Sequence, residues 1–89
     1  MAHVTFTQSL QRHVPCPPRD IQGSTVRDVL EGYFTEVPQV RGYVLDEQGA
    51  LRHHVVIFVN GEQLKERANL SEPVDNSASI YVMQALSGG

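Results

Sequence analysis

The residues best suited to chemistry stand at the end of the sequence, where an apolar run gives way to Leu86-Ser87-Gly88-Gly89. Glycine has no Cβ, so Gly88 and Gly89 can adopt any backbone conformation and enter a channel too narrow for side chains. The reactive group that such a segment presents is the α-carboxylate of Gly89. At the average abundance of glycine, two in a row at one fixed place arise in roughly one chain in 200, so the fold of the preceding residues must decide whether the pair is functional.

The single cysteine, Cys16, is a second candidate, with His13 three residues before it. A thiol beside an imidazole can serve as a nucleophile with its base. However, no third group that would orient the base is evident, and both residues stand in or beside a proline-rich stretch. An unreactive thiol at an edge is therefore the preferred interpretation. One cysteine also excludes an internal disulfide, which favours a reducing, cytoplasmic setting.

Histidines and acidic residues are the remaining candidates. His53 and His54 are adjacent, so on a strand their side chains point to opposite faces and cannot chelate one ion together. A weak metal site that also uses His3 is the alternative. Since no C-x-x-C or H-x-x-x-H spacing supports it, solvated histidines are expected and no metal is predicted. Asp46 and Glu47 are typical of a turn rather than of an acid–base pair.

Length and charge narrow the class of protein. The chain has 89 residues, enough for one small domain that has little core to spare for an enclosed active-site cleft. Its net charge of −3 argues against a nucleic-acid partner, which needs a basic patch. No apolar run approaches the roughly 20 residues that cross a bilayer, and the N-terminus shows no secretion signal. We therefore expect a soluble, cytoplasmic domain with no nucleic-acid and no membrane partner.

The chain end must be carried by a fold, and the first predicted elements are two strands. Residues 3–10 alternate, with Val4 and Phe6 on one side, which predicts a half-buried strand. Residues 14–23 hold three prolines in four positions. Because proline cannot donate to a β-ladder, this stretch is expected to form an edge strand or an irregular return.

One clear helix follows these strands. Thr25 is a good N-cap with Asp28 three residues on, as in a capping box. Pro38 ends the helix, because the residue before a proline avoids helical geometry. Apolar residues recur at helical spacing and form one face. These residues are Val26, Val29, Leu30, Tyr33 or Phe34, and Val37.

The stretch after the helix is mixed and then strongly apolar. Residues 43–45 have the composition of a short extended piece and residues 46–49 that of a turn. Leu51 is expected to re-enter the core. Residues 54–59 are apolar and β-branched, which predicts a strand that is well covered on both faces.

A hairpin and a terminal strand complete the predicted sheet. Asn60-Gly61 favours a type I′ turn, residues 62–64 a short returning strand, and residues 79–83 the last strand. One helix with one apolar face must cover one face of one sheet. This order of elements is that of the β-grasp, or ubiquitin-like, topology: an α+β fold with a mixed sheet of four to five strands on one main helix. We expect this domain over residues 1–83 and a flexible tail over residues 84–89.

With these elements in place, the sequence resembles the MoaD/ThiS sulfur carriers, the small subunit of molybdopterin synthase and the sulfur carrier of thiamin biosynthesis. The resemblance spans the chain in element order and rests on Val59-Asn60-Gly61-Glu62 at the hairpin and Leu86-Ser87-Gly88-Gly89 at the end. Residues 46–54 are more similar to the carriers that serve cysteine biosynthesis. Many members have prolines where this chain has Gln84 and Ala85.

The resemblance implies that the chain is a protein co-substrate rather than an enzyme. A ubiquitin-activating-type adenylyltransferase would use ATP to join the Gly89 carboxylate to AMP. A sulfur donor would displace AMP to leave a thiocarboxylate, which a sulfur-accepting synthase would consume. Leu86, Ser87 and Gly88 would thread into the partner. The chain itself would bind no cofactor, and its sequence has no phosphate-cradling G-x-x-x-x-G-K-[ST] pattern.

Partner contact is expected on the sheet face away from the helix. On the last strand, one of the pairs Ile80/Val82 and Tyr81/Met83 should enter the core and the other should point outward. Tyr81, Met83 and Phe58 are the candidate partner-binding residues, because an outward tyrosine and methionine suit an adaptable interface. Packing of these side chains under loops is the alternative.

Two other functions stay open on the sequence alone. The chain is then either a ubiquitin-like modifier that is attached through Gly89 to lysines of target proteins, or a β-grasp binding module whose tail is chemically idle. A modifier shares the activation step with a sulfur carrier, so element order does not separate these two. The sequence does not name the acceptor of the sulfur.

Overall fold

The computed structural model describes residues 1–84 and places a main helix against one face of a five-stranded sheet. The strands are β1 Ala2–Phe6, β2 Arg19–Ile21, β3 Val55–Val59, β4 Glu62–Gln63 and β5 Ser79–Gln84. The helices are α1 Gln8–Gln11, α2 Val26–Glu36 and α3 Arg41–Val44, with a 3-10 turn at Pro38–Val40 before the last of them. No helix within residues 1–84 is long and apolar enough to cross a membrane.

The sheet has the strand order β2-β1-β5-β3-β4. Strands β1 and β5 run parallel, whereas the other neighbouring pairs are antiparallel. Strand β5 therefore lies in the middle of the sheet, and short strands form both edges, three residues in β2 and two in β4. The proline-rich stretch leads into an edge strand, as its prolines predict. A mixed sheet on one main helix confirms the predicted α+β, β-grasp arrangement.

Helix α2 has the boundaries that its sequence predicts. The Thr25 hydroxyl accepts a hydrogen bond from the Asp28 N–H at 3.1 Å, and the Ser24 hydroxyl donates to the Asp28 carboxylate at 3.1 Å. The helix ends at Glu36, ahead of Pro38. Its buried side chains are Val26, Val29, Leu30, Tyr33 and Phe34.

The core lies between α2 and the inner face of the sheet. Ile80 and Val82 of β5 are fully buried there. The Phe6 ring packs on the Tyr33 ring with 4.9 Å between their centroids, and the Tyr33 hydroxyl donates to the Pro17 carbonyl at 2.7 Å. Tyr33 therefore joins the helix both to the sheet and to the proline-rich stretch.

Two stretches that the sequence predicts as extended are short helices instead. Residues 3–10 form a strand only in their first half, and Leu10 reaches the core from α1, where it is fully buried. The extended piece predicted at residues 43–45 is also wrong. The 3-10 turn and α3 bring Val40 and Val44 to the buried side together, as residues one helical turn apart must be.

Strand β3 is covered on one face rather than on both. Val55, Ile57 and Val59 are buried, but Val56 and Phe58 are only half-buried. The alternation arises because the helix covers one face of the sheet, whereas residues 1–84 place no second layer on the other face of β3. A strand of a doubly covered sheet would be buried on both faces. The prediction of a strand buried on both faces is therefore wrong.

The predicted turns are present. Asn60 and Gly61 have φ angles of 52° and 85°, both in the left-handed region that a type I′ hairpin turn requires. The Gly49 N–H donates to the Asp46 carbonyl at 3.0 Å and closes the earlier turn. Leu51 follows that turn and is buried, as expected.

A single arginine fastens the long connections to the helix. The Arg27 guanidinium donates to the carbonyls of Gly49 at 2.6 Å, Ala68 at 3.1 Å and Asn69 at 3.2 Å. It also pairs with the Glu31 carboxylate one helical turn on, at 3.2 Å. Arg27 thereby joins two connections without regular structure to α2.

Candidate functional site

The candidate site is built on β5, whose two faces differ. Ile80 and Val82 point into the core and are fully buried, whereas Tyr81 and Met83 are half-buried. Successive residues of a strand point to opposite faces, so Tyr81 and Met83 belong to the side of the sheet away from α2. Of the two pairs that the sequence offers for the core, Ile80/Val82 is the one that enters it.

The neighbours of Tyr81 and Met83 extend this surface over three strands. Tyr81 lies opposite Thr5 on β1 and Phe58 on β3, and Met83 lies opposite Val56. These five half-buried residues, Thr5, Val56, Phe58, Tyr81 and Met83, form what we call the open face. The structure therefore brings the three predicted partner-binding residues, Phe58, Tyr81 and Met83, together on one surface.

The open face contains a shallow depression of about 400 Å³. It is lined by Thr5, Phe58, Gly61, Ser79, Tyr81 and Met83. None of these lining residues carries a charge, and large apolar side chains dominate. Such a surface matches the apolar centre of a protein–protein interface, where aromatic residues and methionine are enriched and charges are depleted. It does not offer the cationic groups that a nucleotide's phosphates require.

Strand β5 includes Gln84, the last described residue, one position beyond the predicted end of the last strand. Gln84 lies opposite Val55 of β3, and its N–H donates to the Thr7 hydroxyl at 3.3 Å. No local pattern in the sequence marks Thr7 for this role, because its hydrogen bond to Gln84 joins residues that lie 77 positions apart. The predicted tail residues lie outside the described residues, and their roles stay predictions. These are Leu86, Ser87, Gly88 and Gly89.

The cysteine is part of the core. Cys16 is 3% exposed, and burial raises the pKa of its thiol, which disfavours the thiolate that a nucleophile needs. His13 is exposed, and its ring stacks on the Tyr43 ring at 6.4 Å between centroids. The edge thiol that the sequence predicts is wrong, since Cys16 packs inside, and the structure gives no support to a cysteine nucleophile.

The histidines occupy two separate settings. His53 and His54 stand in the turn before β3 with their rings edge to face, 5.3 Å between centroids, so the prediction that they point to opposite faces of a strand is wrong. His3 is on β1, where its Nδ1 and the Asp20 carboxylate lie 2.7 Å apart. Within residues 1–84, no group of three or more histidine, cysteine, aspartate or glutamate side chains is arranged to hold a metal ion.

The fold is similar to those of several solved structures. No protein-family model and no curated protein sequence matches the chain. Among solved structures, it is similar to a chain of the crystal structure of the Amycolatopsis orientalis BexX/CysO complex, with a TM-score of 0.84, 18% identity and 100% of both chains covered. It is also similar to Mycobacterium tuberculosis CysO, described as an antigen, with a TM-score of 0.81, 19% identity and 97% and 100% of the two chains covered.

A third similar structure comes from an archaeon. The crystal structure of SAMP1 from Haloferax volcanii matches with a TM-score of 0.78 and 22% identity, and the match covers 99% of this chain and 98% of that one. Since the similarity runs over whole chains, the sheet, the main helix and the connections share one plan. The protein has the ubiquitin-like β-grasp fold, as the order of its elements predicts.

Proposed function

We propose that this chain is a sulfur carrier of the MoaD/ThiS type, in which Gly89 is the carboxyl-terminal residue and its carboxylate accepts the sulfur. The observation that carries the proposal is the placement of β5. The strand that leads to Leu86-Ser87-Gly88-Gly89 lies in the middle of a β-grasp sheet and presents Tyr81 and Met83 on the open face. A partner bound to that face therefore lies beside the strand from which the chain end departs.

The chemistry begins with activation of the carboxylate. A carboxylate is a poor electrophile, so a Gly89 oxygen attacks the α-phosphorus of ATP on a partner enzyme and pyrophosphate leaves, which gives an acyl-adenylate. Hydrosulfide, or a donor that delivers it, then attacks the acyl carbon, and the bond from that carbon to the AMP oxygen breaks. The products are AMP and a terminal thiocarboxylate, a nucleophilic anion that a sulfur-accepting synthase consumes.

The proposal assigns ATP to the ubiquitin-activating-type adenylyltransferase, with this chain as its protein co-substrate. The uncharged, largely apolar lining of the depression in the open face supports that assignment. Glycine at 88 and 89 keeps the end narrow enough to reach an enclosed nucleotide site. The open face supplies binding free energy far from the reacting carbonyl, which holds the end in place without a catalytic group of its own.

A ubiquitin-like modifier is the second candidate, and one observation favours it. The fold is shared with small archaeal modifier protein 1 from Methanosarcina acetivorans, with a TM-score of 0.80 at 20% identity. In that case the Gly89 acyl group passes to a lysine amine of a target protein instead of to sulfur. Both functions use the same adenylate, so the product of the second step separates them.

Intact-mass spectrometry of the full chain tests the proposal. The chain is incubated with an adenylating enzyme of the ubiquitin-activating type from its own source, with ATP and a sulfide donor. The proposed function requires a mass gain of one sulfur minus one oxygen, which disappears when ATP is omitted or Gly88-Gly89 is deleted. Heavier conjugates on lysines of added proteins would establish the modifier instead. An unchanged mass, or full biological function after deletion of Gly88-Gly89, would mean that the tail is chemically idle and would overturn both candidate functions.

A further inference from the structure

The backbone at the end of β5 is held by a side chain where a main-chain partner would be expected. In the parallel ladder of β1 and β5, the Thr7 N–H donates to the Val82 carbonyl at 3.1 Å. The next rung of such a ladder would run from the Gln84 N–H to the Thr7 carbonyl. That carbonyl is already used, because it accepts from the N–H groups of Leu10 and Gln11 at 3.2 Å each as α1 begins.

The Thr7 hydroxyl takes the place of its carbonyl. Its Oγ1 accepts from the Gln84 N–H at 3.3 Å and lies 3.1 Å from the Ser9 hydroxyl. Thr7 is the N-cap of α1, yet its side chain makes no capping hydrogen bond to that helix. A threonine at this position usually bonds to an N–H of its own helix, so the hydroxyl has been diverted to β5.

Strand β3 provides no substitute for this contact. The Asn60 N–H donates to the Ser79 carbonyl on the β3 side, and backbone groups alternate along a strand. Gln84, five positions on from Ser79, therefore directs its N–H to the β1 side, towards Thr7. The Gln84 Oε1 is buried and accepts from no donor among the described residues, so that atom adds no anchor. Among the described residues, the Thr7 hydroxyl therefore holds Gln84 to β1.

We propose that Thr7 is a positioning residue that anchors Gln84 to β1, and thereby sets the reach of Gly89 from that anchor. This inference rests on the proposed function and refines it. Five residues follow Gln84, which span roughly 17 Å when extended. Release of Gln84 adds roughly 3.4 Å to that length and removes the fixed starting point. Delivery of the Gly89 carboxylate into an enclosed site would depend on both the length of this tether and its starting point.

Amide hydrogen exchange measured by NMR tests the contact without any partner enzyme. Thr7→Val keeps the branched shape and removes the hydroxyl, Thr7→Ser keeps the hydroxyl, and Thr35→Val removes an exposed hydroxyl from α2 as a matched control. We expect exchange of the Gln84 N–H to rise roughly three- to tenfold in Thr7→Val, the effect of losing one ordinary hydrogen bond. Exchange of the Val82 N–H in Thr7→Val should stay close to that of the wild type. Exchange of the Gln84 N–H in Thr7→Ser and Thr35→Val should do so as well. Unchanged Gln84 exchange in a folded Thr7→Val variant would overturn the inference.

A pair of variants tests the consequence for the chain end. Deletion of Ala85 shortens the tether and should lower kcat/KM for thiocarboxylate formation strongly in the wild type. In Thr7→Val the same deletion should cost several-fold less, because the released Gln84 supplies the missing length. If the Ala85 deletion lowers kcat/KM by the same factor in Thr7→Val as in the wild type, Thr7 does not set the reach of Gly89. If the wild-type chain is not activated at all, the proposed function fails, while the exchange measurement still decides whether Thr7 holds Gln84.

Discussion

At the scale of single residues, β5 places side chains with opposite tasks next to each other. Ile80 is fully buried, so its replacement removes core contacts, whereas Met83 is half-buried on the open face. Under the proposed function, whether a residue of β5 serves stability or recognition would therefore depend on its parity along the strand. The sequence predicts that one pair points in and the other out, and it names Phe58 as a partner-binding residue, but it does not show that Thr5 and Val56 complete the outward surface. That completion depends on register, which only the folded sheet provides.

We expect Met83→Gln and Ile80→Ala to affect different measurements. Met83→Gln replaces an apolar contact by a polar group of similar length, so it should raise the KM for activation while the free energy of unfolding changes by less than about 0.5 kcal/mol. Ile80→Ala should lower the free energy of unfolding by about 3 kcal/mol, because it opens a cavity in the core. Urea unfolding and activation kinetics on both variants check the contrast. Loss of stability without a change in KM for Met83→Gln would contradict a docking role for the open face.

The alkaline limit of stability depends on one tyrosine. Burial is the main cause that raises the pKa of Tyr33 to about 12, and its hydroxyl donates to the Pro17 carbonyl. In the unfolded chain a tyrosine titrates near about 10. The unfolded state therefore loses its proton first, and the contribution of Tyr33 to stability is full below about pH 10 and is lost as the pH rises towards 12.

Tyr33→Phe checks this pH dependence. At neutral pH the variant should be less stable by about 1–2 kcal/mol, because the Pro17 carbonyl loses its donor. Between pH 10 and 12 its unfolding free energy should fall less steeply than that of the wild type. Burial also raises the pKa of Cys16, so part of the loss of stability with rising pH remains in both proteins. Parallel pH profiles for the two proteins would show that Tyr33 titrates alike in the folded and unfolded states, so that its burial contributes no pH dependence.

At the scale of elements, the parts that the sequence predicts well carry their own boundary signals. Helix α2 begins at a capping threonine, Thr25, and ends at a proline, and the hairpin turn is fixed by Asn60-Gly61. Helix α1 also begins at a threonine, Thr7, but neither it nor α3 has a side-chain cap hydrogen bond, and helices of one turn are unstable in isolation. They form because burial of Leu10 and Val44 stabilises them, which is a tertiary effect and leaves no local pattern to read.

Arg27 joins two connections to α2, and we expect its replacement to lower the stability of the fold. Arg27→Gln removes the donors to the carbonyls of Gly49, Ala68 and Asn69, and should lower the free energy of unfolding by about 2 kcal/mol. Arg19→Gln is the matched control, since within residues 1–84 the Arg19 guanidinium pairs with the exposed Glu36 carboxylate alone, at 3.3 Å, and its loss should cost less than about 1 kcal/mol. Urea titration measures both. Equal effects would mean that the carbonyl contacts of Arg27 add nothing to an ordinary surface ion pair.

At the scale of the whole molecule, the proposed function assigns separate tasks to the domain and the chain end. The domain would provide the sheet and the open face, and residues 85–89 would carry the reacting group. This separation explains why the candidate site could be only half predicted. The glycines at the end are visible in the sequence, but the surface that accompanies them is assembled from β1, β3 and β5, which lie far apart along the chain.

Dividing the molecule tests this separation. A chain that ends at Gln84 keeps every described contact of the domain, so it should fold, dock through the open face and competitively inhibit activation of the full chain. A peptide of residues 79–89 keeps the reacting end but loses the sheet, so its KM should be at least about 100-fold higher, the equivalent of about 2.7 kcal/mol of binding. Adding Met83→Gln to the truncated domain should weaken its inhibition as much as the same change raises the KM of the full chain. If the peptide is activated as readily as the whole chain, or the folded truncated domain does not inhibit, the domain is not the docking element and recognition belongs to the tail alone.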